Sequence, residues 1–566
     1  MRYLLTFLFC ASLISIQAQV QADKKEIPFL PNELWWGGRV NQGDVMPYQV
    51  GYKTNLLGNN EGNQWQPLLI SSKGRSIWSE KPFAFEIGKD KIVVSEIWGE
   101  IMVDSSLFSA SAIHRGPSEP PAAIHSGRLK SPAIDNVTNI GTLKSGYLNA
   151  SHKYFPFTGT TPDELLFSRP QYNTWIELTY NQNQADVLKY AKAIIDNGMP
   201  AGVLMIDDTW QNGYGDWEFN CRKFNDPKAM MDTLHRMGFK VMLWVTPFVS
   251  MDIPAYRALR NQGAFIRKSK ALNGLPIEGD AMPTDWWNGV SAVLDFTNPV
   301  AVKWFKERLD YLQSAYGVDG FKFDAGDPNF YTGNVVAAKP ILSNDHSELY
   351  AKFGEQYPLN EFRSCWKMGG HPLAQRLKDK NHQWSDLKKL IPHMTTQGLL
   401  GYPYACPDMI GGGEWTSFLD LSKVDQDLIV RSAQIHALMP MMQFSLAPWR
   451  VLDPVHLNAV KAAVATRMKY TPEIMKVLGN TKTSGEPIMR NMEYNYPNSG
   501  YGDIKDQFFL GDKILVAPIA DKNTSTRTVK LPKGIWKDDQ GKSFTGPTTI
   551  QTEVPIDRIP IYELQE

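Results

Sequence analysis

Residues 203–245 contain the pattern that decides the fold. The run VLMID (203–207) is a short apolar strand candidate, PKAMMDTLHRM (227–237) is helical, and KVMLWV (240–245) is a second apolar strand. Strand, helix and strand in this order predict a βα unit, because a helix is the usual connection between neighbouring parallel strands.

The same alternation extends along the middle of the chain. A parallel sheet is predicted from strands at 175–180, 202–207, 240–245, 292–296, 320–323, 362–365, 402–405 and 441–444. Helical patterns connect them at 184–197, 227–237, 253–260, 299–316, 347–355, 387–399 and 425–438. Eight parallel strands close into a (β/α)8 TIM barrel rather than an open sheet. No Gly-x-Gly-x-x-Gly motif or phosphate loop follows these strands, which disfavours a dinucleotide-binding enzyme.

The sequence on both sides of the barrel predicts β structure. From 26 to 167, short β-prone runs such as KIVVS (91–95) and IWGEIMV (97–103) alternate with turn residues, with no helical stretch of ten residues. This pattern favours a β-sandwich. After a helix at 458–476, DQFFLGDKILVAP (506–518) begins a second β region. The expected domains are an N-terminal β-sandwich (23–167), the catalytic barrel (168–480) and a small C-terminal β-domain (481–566).

The N-terminus predicts export. An apolar run from Tyr3 to Ile16 follows Arg2 and precedes small residues, so residues 1–22 are predicted to be a signal peptide. A buried helix and a lipid anchor on Cys10 are the alternatives. No later run reaches 18 apolar residues, so no integral membrane span is expected. The destination after export, whether periplasm, cell surface or medium, stays open.

Composition limits the class of partner. The 566 residues include 59 Lys plus Arg and 59 Asp plus Glu, without a block of like charge, so nucleic acid is not expected as a partner. Hydrophobic residues at 43% supply the cores of several domains. After removal of the signal peptide, Cys221, Cys365 and Cys406 remain, which is not a disulfide framework. The oligomeric state is left open.

Acidic residues lie where predicted barrel strands end. In GFKFD (320–324) the period of two places Lys322 and Asp324 on one face, directed into the barrel mouth, where barrel enzymes carry their active sites. A buried carboxylate beside a cation stays ionised, as a nucleophile must; a structural ion pair is the alternative. Asp207 and Asp208 follow an earlier strand, and one of them is expected to line the pocket while the other caps the turn.

Tryptophans accompany these acids. Trp210, Trp217, Trp244, Trp286 and Trp287 lie at strand ends or in the loops after them. A single Trp more often packs in a core, but this concentration favours a carbohydrate pocket. The histidines stand alone and no Gly-x-Ser-x-Gly elbow is present, so paired carboxylate chemistry on sugars is the remaining interpretation. The residues themselves nominate Asp324 but not its partner.

Several motifs together resemble glycoside hydrolase family 31. They are VLMIDDTW (203–210), AVLDFTNP (292–299), GFKFDAGD (320–327), GYPYACPDMIGG (401–412) and DQFFLGDKILVAP (506–518). The resemblance covers nearly all of the mature chain. It implies the three-domain fold expected above, a retaining hydrolytic mechanism, and no metal or other cofactor.

The resemblance also implies roles for individual residues. Asp324 matches the nucleophile, and Asp386 in QWSD matches the acid/base, for which a raised pKa is expected. The expected substrate-binding residues are Asp207, Asp208, Trp244, Trp287, Lys322, Arg363 in FRSC, and Asp408 in the motif matching Asp-Ile-Gly-Gly.

Departures from the family pattern bear on the sugar. Many α-glucosidases of the family carry Arg-x-His after the last barrel strand, where this chain has Gln443, Phe444 and Ser445. FKFDAG and DWWNGVSAVLDFTNP instead resemble the subgroup with bacterial α-galactosidases and the animal myogenesis-regulating glycosidase. An exo-acting α-galactosidase is therefore expected, with Trp286 or Trp287 as the wall that selects an axial 4-hydroxyl.

Three alternatives remain from the sequence. The first is an α-glucosidase or α-xylosidase of the same family. The second is a non-catalytic carbohydrate-binding protein on the same scaffold. The third is a barrel lyase or aldolase using Lys322 as a Schiff base, which the neighbouring acid disfavours because it keeps the lysine protonated. The expected partner in the leading interpretation is a small-molecule carbohydrate.

Overall fold

The computed structural model of the chain describes residues 24–96, 103–104, 134–138, 140–272, 275–331 and 335–565. The predicted signal peptide, residues 1–22, and most of the predicted run 97–103 lie outside the described residues. Among the helices that are described, none has both the length and the apolar character needed to cross a membrane.

A parallel eight-stranded barrel forms the centre of the described chain. Its strands are β1 (Gln171–Asn173), β2 (Val203–Ile206), β3 (Lys240–Val245), β4 (Gly320–Phe323), β5 (Asn360–Phe362), β6 (Gln375–Arg376), β7 (Ala405–Cys406) and β8 (Gln443–Phe444). Strands pair with their neighbours along the chain, and β1 pairs with β8. Between β7 and β8, Met409 bridges to Gln443 and the Ile410 amide donates to the Gln443 carbonyl at 2.8 Å. The predicted (β/α)8 barrel is confirmed.

Two of the predicted barrel strands are wrong. The segment 175–180 begins with the short helix Trp175–Leu178, and the strand lies just before it. The segment 292–296 overlaps the strand Gly289–Val293, which belongs to a separate antiparallel sheet. Strand β6 was missed because Gln375 and Arg376, although buried, are polar and give no apolar run.

Helices of the barrel begin at side-chain caps. Asn183, Asp226 and Asn298 each accept a hydrogen bond from a first-turn backbone amide, and proline follows the latter two at the first helical position. The helices of the barrel region are Leu165–Ser168, Trp175–Leu178, Gln184–Asp196, Pro227–Arg236, Pro254–Asn261, Pro299–Tyr316, Ser343–Gly354, Trp384–Leu387, Leu390–Leu399, Gln426–Ala437, Pro448–Val451 and Pro454–Ser484.

Two antiparallel sheets precede the barrel, as the sandwich prediction required. One has the order Lys24–Pro28, Lys91–Glu96, Phe83–Ile87, Lys53–Asn55, and the other the order Trp35–Arg39, Gln64–Ser71, Ser76–Trp78, Asp135–Val137. Their buried side chains belong to the same apolar cluster as the barrel core. The expectation of no helix in this region is wrong, because Leu143–Tyr154 is helical and Thr142 and Ser145 form a capping box at its start.

The C-terminal domain is an antiparallel β structure. Its six-stranded sheet has the order Met489–Arg490, Phe508–Leu510, Ile514–Val516, Ile561–Gln565, Thr526–Asp538, Ser543–Glu553. The helix before it, Pro454–Ser484, is longer than predicted and ends at Gly485, whose φ of 74° is left-handed. The short helix Met492–Asn495 follows the first strand.

Excursions from the barrel supply further short elements. A three-stranded sheet has the order Phe248–Ser250, Gly289–Val293, Pro283–Trp286, and its last two strands form a hairpin with Trp287 in the turn. The other strands from the barrel region are Gln211–Gly213, Asp216–Phe219, Arg267–Leu272, Leu275–Ala281, Val335–Ala337 and Cys365–Trp366, of which the last pairs in parallel with Gln64–Ser71 of the N-terminal sheets. The 3-10 helices of the barrel region are Pro328–Tyr331, Trp415–Phe418 and Leu421–Lys423. The N-terminal region adds the strand Val103–Asp104, which pairs with Val335–Ala337, and the 3-10 helix Val40–Val45.

Candidate active site

A cavity of about 980 Å³ opens at the carboxyl ends of the barrel strands. Residues at the carboxyl ends of β2, β3, β4 and β5 line it, together with residues of the N-terminal region and of the hairpin turn. The structure brings together nearly all of the predicted site residues here, namely Asp207, Asp208, Trp244, Trp287, Lys322, Asp324, Arg363 and Asp386.

Asp324 lies immediately after β4 with both carboxylate oxygens occupied. Oδ1 accepts hydrogen bonds from Arg363 Nε (2.8 Å) and the Ala325 amide (2.8 Å), and Oδ2 accepts one from Trp244 Nε1 (2.9 Å). Burial alone would raise the pKa of Asp324, but the nearby charges of Arg363 and Lys322 hold it well below its ordinary value. Asp324 is therefore a fixed, ionised carboxylate that faces the cavity.

The turn after β4 depends on a glycine. Ala325 and Gly326 both have positive φ, at 59° and 76°. A Cβ at position 326 would lie 2.3 Å from the ring of Tyr350, whose hydroxyl donates to the Asp324 carbonyl at 3.1 Å. The tight turn packed on Tyr350 thus fixes the backbone that carries Asp324.

Lys322 forms its ion pair with Asp207 rather than with Asp324. Lys322 Nζ donates to Asp207 Oδ2 at 2.7 Å, and both side chains are buried. Burial alone would lower the pKa of Lys322, but the charge of Asp207 raises it. The lysine therefore stays protonated, and its charge favours the ionised form of Asp324 without a direct contact. The cation in direct contact with Asp324 is Arg363.

Arg363 joins two buried acids. Besides Asp324, it contacts Asp327, with Nη2 at 2.8 Å from Oδ2. Its guanidinium carbon lies 5.4 Å from the centroid of the Trp287 ring, a cation–π distance. Gly62, which precedes the strand Gln64–Ser71 of the N-terminal sheets, comes so close that a Cβ there would lie 1.9 Å from Nη1. The arginine is thus enclosed by the barrel, the hairpin and the N-terminal sheets.

Asp208 also faces the cavity, so both acids after β2 line it. Its Oδ2 accepts hydrogen bonds from Asn288 Nδ2 (2.5 Å) and the Tyr214 hydroxyl (3.3 Å). Burial and the charge of Asp207 raise the pKa of Asp208 to about 7. Because Asn288 follows Trp287 in the hairpin turn, this contact fixes the hairpin over the cavity.

The tryptophans divide into pocket and core. Trp287 lines the cavity and is 47% exposed, whereas Trp286 is buried and stacks on Phe248. Trp244 lines the cavity and binds Asp324. Trp210 and Trp217 stack on each other and are buried. They pack in the core and do not line the cavity, unlike the sugar-pocket residues that the sequence suggested.

Asp386 lies in the short helix Trp384–Leu387 at the side of the cavity. Its Oδ2 accepts from the Asn381 amide (2.9 Å) and side chain (3.0 Å), and its Oδ1 accepts from Lys389 Nζ (3.1 Å). Burial alone would raise the pKa of Asp386, but these hydrogen bonds outweigh burial and lower it. The free protein therefore lacks the raised pKa that was expected for this residue.

Asp408 does not line the cavity, in contrast to its predicted role as a sugar contact. It is 1% exposed, and its Oδ1 accepts from Arg376 Nη1 at 2.7 Å. Its Oδ2 accepts from the backbone amides of Lys380 (2.7 Å) and Gly413 (3.0 Å). Asp408 therefore holds Arg376 and two loops that border the cavity.

Several residues of the cavity were not predicted. They are Arg376 from β6, the aromatic residues Trp175, Tyr180 and Trp415, and polar residues between the strands of the N-terminal region, including Asn41, Asn59, Glu61 and Asn63. Trp175 and Trp415 could have been found from the sequence, since they too lie between strands of the barrel, each at the start of a short helix. The N-terminal residues could not, because sequence patterns do not show which domain edge meets the barrel.

Family models match most of the described chain. The model for the glycosyl hydrolases family 31 TIM-barrel domain matches residues 167–477, and the model for the glycosyl hydrolase family 31 C-terminal domain matches residues 485–564.

Two curated proteins that are named as glycosidases are similar to this chain in sequence. The myogenesis-regulating glycosidase of Mus musculus is 30% identical over 465 residues, which are 80% of this chain and 63% of that protein. Alpha-glucosidase 2 of Bacillus thermoamyloliquefaciens is 25% identical over 453 residues, which are 72% of this chain and 55% of that protein. The chain thus spans less than two thirds of the length of either relative.

Solved structures share the fold. A GH31 dextranase of Flavobacterium johnsoniae, complexed with glucose, aligns with a TM-score of 0.79 at 17% identity, covering 96% of this chain and 66% of that one. A GH31 alpha-xylosidase from a soil metagenome aligns with a TM-score of 0.77 at 19% identity, covering 96% and 79%. At these identities the likeness concerns the architecture alone.

Proposed function

The chain belongs to glycosyl hydrolase family 31, and from this premise we propose that it is a retaining, exo-acting α-glycoside hydrolase that acts on terminal α-galactosides. One observation carries the proposal. Asp324 is ionised, points into the cavity and is held at both oxygens, by Arg363 and by Trp244. A carboxylate fixed in this way can attack an anomeric carbon without reorganising.

Asp386 takes the second role. It lines the same cavity and protonates the glycosidic oxygen as Asp324 forms the glycosyl ester. In the second step the ionised Asp386 removes a proton from water, and the water oxygen displaces Asp324 from the anomeric carbon. The sugar leaves with its original anomeric configuration because both displacements invert that carbon.

The sugar itself is held by charged groups at the base of the cavity. Asp207 and Lys322 form a buried ion pair there, and Asp208 adds a second carboxyl group beside them. Trp287 provides an exposed aromatic face above these groups. The set suits a ring with several hydroxyls, which polar atoms bind at the edge while an aromatic side chain covers one face.

Two features support galactose over glucose. At the position where many α-glucosidases of the family have a histidine, Ser445 is fully buried and its Oγ accepts from the Ile176 amide at 2.7 Å. The hairpin that carries Trp287 is instead tied to Asp208 through Asn288. A pocket whose polar groups are matched to an axial 4-hydroxyl rejects the other epimer, because its buried groups would then lack partners.

A panel of nitrophenyl glycosides tests the sugar. The α-galactoside should be hydrolysed with the largest kcat/KM among the α-galactoside, α-glucoside and α-xyloside. A higher value for the glucoside or xyloside would replace the α-galactosidase assignment by one of those two. Inactivity on all three, with sugar binding retained, would favour a non-catalytic carbohydrate-binding protein.

Trapping tests the mechanism. A 2-fluoro glycosyl fluoride of the preferred sugar should inactivate the protein and leave a covalent adduct, which mass spectrometry of peptides should place on Asp324. An adduct on another residue would identify that residue as the nucleophile. If NMR shows that the sugar is first released as the inverted anomer, a retaining mechanism is excluded.

We also propose that the chain is exported. The support is the apolar run from Tyr3 to Ile16, which precedes a region of small residues. The mature protein should begin near residue 23 when isolated from outside the cytoplasm and examined by N-terminal sequencing. Recovery of a chain that retains residues 1–22 in the cytoplasm would contradict export.

A further inference from the structure

A second cavity lies beside the active-site cavity, between the barrel and the C-terminal domain. Its volume is about 500 Å³, within the range of roughly 300–1,000 Å³ of pockets that hold small ligands. We call it the C-terminal cleft and define it by Ser385, Lys388 and Lys389 on the barrel side and by Lys505, Asp521 and Thr526 on the other. Asp44 and Lys389 line both cavities, so the two adjoin.

The cleft begins next to the proposed proton donor. Ser385 and Lys388 flank Asp386 in the sequence, and Lys389 Nζ donates to Asp386 at 3.1 Å. A general acid must lie within hydrogen-bond reach of the glycosidic oxygen that it protonates. The leaving group, which is bonded to that oxygen, therefore starts beside Lys389 at the entrance to the cleft.

The charges that line the cleft are already paired. Lys388 pairs with Asp521, and Lys505 Nζ donates to the Asp44 carbonyl at 2.5 Å. Arg527 Nη2 contacts Asp506 Oδ1 at 2.9 Å. With Lys389 bound to Asp386, each cationic residue of the cleft lining has an oxygen partner. Acidic side chains balance the charges of Lys388, Lys389 and Arg527, so the lining presents little excess positive charge to a phosphate or sulfate and favours an uncharged polar ligand.

The walls of the cleft are tied together. Lys522, next to Asp521 in the C-terminal domain, pairs with Asp425 at 3.0 Å. Asp425 in turn accepts a hydrogen bond from Trp384 Nε1 at 2.9 Å, in the helix that carries Asp386. The side chain of Thr526 is exposed on the facing strand. The cleft is therefore bounded by fixed elements and offers hydroxyl groups toward its interior.

We propose that the C-terminal cleft binds the distal part of the leaving group of a neutral oligosaccharide. The preferred substrates then carry more than one sugar unit beyond the bond that is cleaved. This inference rests on the proposed function, since it uses Asp386 to locate the leaving group. It adds a binding site formed by the C-terminal domain, with uncharged sugar units as its ligand.

Chain length tests the proposal. The substrates are α-glycosides of the preferred sugar with leaving groups of one, two and three sugar units, and the nitrophenyl glycoside serves as the reference for each variant. In the wild type, kcat/KM should rise from one unit to three by roughly tenfold, the factor that about 1.4 kcal/mol of binding provides. In Thr526→Trp, which fills the cleft, that rise should disappear relative to the reference. Thr549→Trp, at an exposed position of the adjacent strand outside the cleft, should retain it.

Three results would overturn the proposal. The first is a kcat/KM that does not depend on chain length, and the second is an increase of kcat/KM with chain length that survives in Thr526→Trp. The third is loss of that increase in Glu61→Ala, which would place the leaving group against the N-terminal region instead of in the cleft. Hydrolysis of the nitrophenyl glycoside reports the proposed function separately. If the wild type cleaves no glycoside, the proposed function fails, and calorimetric binding of the same oligosaccharides to wild type and Thr526→Trp still decides whether the cleft binds them.

Discussion

Asp324 and Asp386 line one cavity but are held by different parts of the molecule. The partners of Asp324 come from elsewhere in the barrel, and Arg363 and Trp244 lie 39 and 80 residues away in the sequence. The side-chain partners of Asp386, Asn381 and Lys389, lie within five residues of it. The fold as a whole thus fixes the charge of the proposed nucleophile, whereas a local segment fixes the proposed proton donor.

Asp324 and Asp386 can take different roles because their surroundings respond differently to a bound substrate. Both have a lowered pKa in the free protein, and their side chains are almost equally exposed, at 12% for Asp324 and 14% for Asp386. Their cationic partners differ, because Arg363 beside Asp324 is 10% exposed whereas Lys389 beside Asp386 is 42% exposed. A leaving group that fills the cavity displaces water from Asp386 and favours its neutral form. Asp324 keeps its charge in the same event because the buried Arg363 stays bound to it. Substrate binding can therefore separate the two pKa values.

The largest expected effect comes from removing the charge of Asp324. Asp324→Asn keeps the size of the side chain but removes the nucleophile, and kcat should fall by roughly 10⁴-fold or more. Turnover of the preferred nitrophenyl glycoside measures this, and calorimetry should show that sugar binding persists. Asp420→Asn, an exposed acid outside the cavity, is the control. Substantial residual activity in Asp324→Asn would mean that another residue is the nucleophile.

The next effect depends on the leaving group. Asp386→Asn removes the proton donor, so hydrolysis of an oligosaccharide should fall by about 10²- to 10⁴-fold. A dinitrophenyl glycoside needs little protonation, so its first step should be affected much less. Kinetics on both substrates give the ratio directly. Equal losses on the two substrates would show that Asp386 acts in some way other than proton donation.

Removing the long-range partner of Asp324 should affect stability as well as rate. Arg363→Met leaves Asp324 and Asp327 buried without their cation, and breaking such a pair costs about 3–5 kcal/mol. The free energy of unfolding, measured in denaturant, should fall accordingly near neutral pH, together with kcat. Arg450→Met, which removes a half-exposed pair with Glu177, is the matched control and should change stability little.

The stability lost in Arg363→Met should depend on pH, and the loss should be smaller in acid. The pKa of Asp324 is lowered on folding, so its contribution to stability is present above the pKa of the unfolded carboxyl and declines as the pH falls toward the folded value. The difference in unfolding free energy between wild type and Arg363→Met should therefore shrink in acid. A difference that grows as the pH falls would contradict an ionised Asp324.

The same contrast shows what sequence patterns could reveal. The period of one apolar strand predicts Lys322 and Asp324 at the barrel mouth, and both line the cavity there. The contact of Lys322 with Asp207 was not predicted, because alternation along one strand does not show which residue of another strand lies opposite. Strand β6 was missed for a related reason. Its Gln375 and Arg376 are buried through polar contacts, which an apolar pattern cannot indicate.

The sequence did not predict the C-terminal cleft or the contribution of N-terminal residues to the cavity. Each joins residues hundreds of positions apart, such as Asp44 and Lys505. Local periodicity predicts elements, and the order of elements predicted the barrel, but the edges at which whole domains meet depend on packing across the completed fold. The family resemblance nominated Asp386 and Arg363 where alternation did not, yet it gave neither their hydrogen bonds nor the direction of the Asp386 pKa.

The smallest effect should come from the local partner of Asp386. Lys389 helps to lower the pKa of Asp386, so Lys389→Met should raise that pKa. Because the pH profile of kcat/KM reports the pKa values of the free enzyme, its basic limb should move to higher pH. Lys423→Met is the matched control, since Lys423 pairs with an aspartate three residues earlier, but on the surface. A limb that moves to lower pH, or that moves equally in both variants, would mean that the local segment does not set the proton affinity of Asp386.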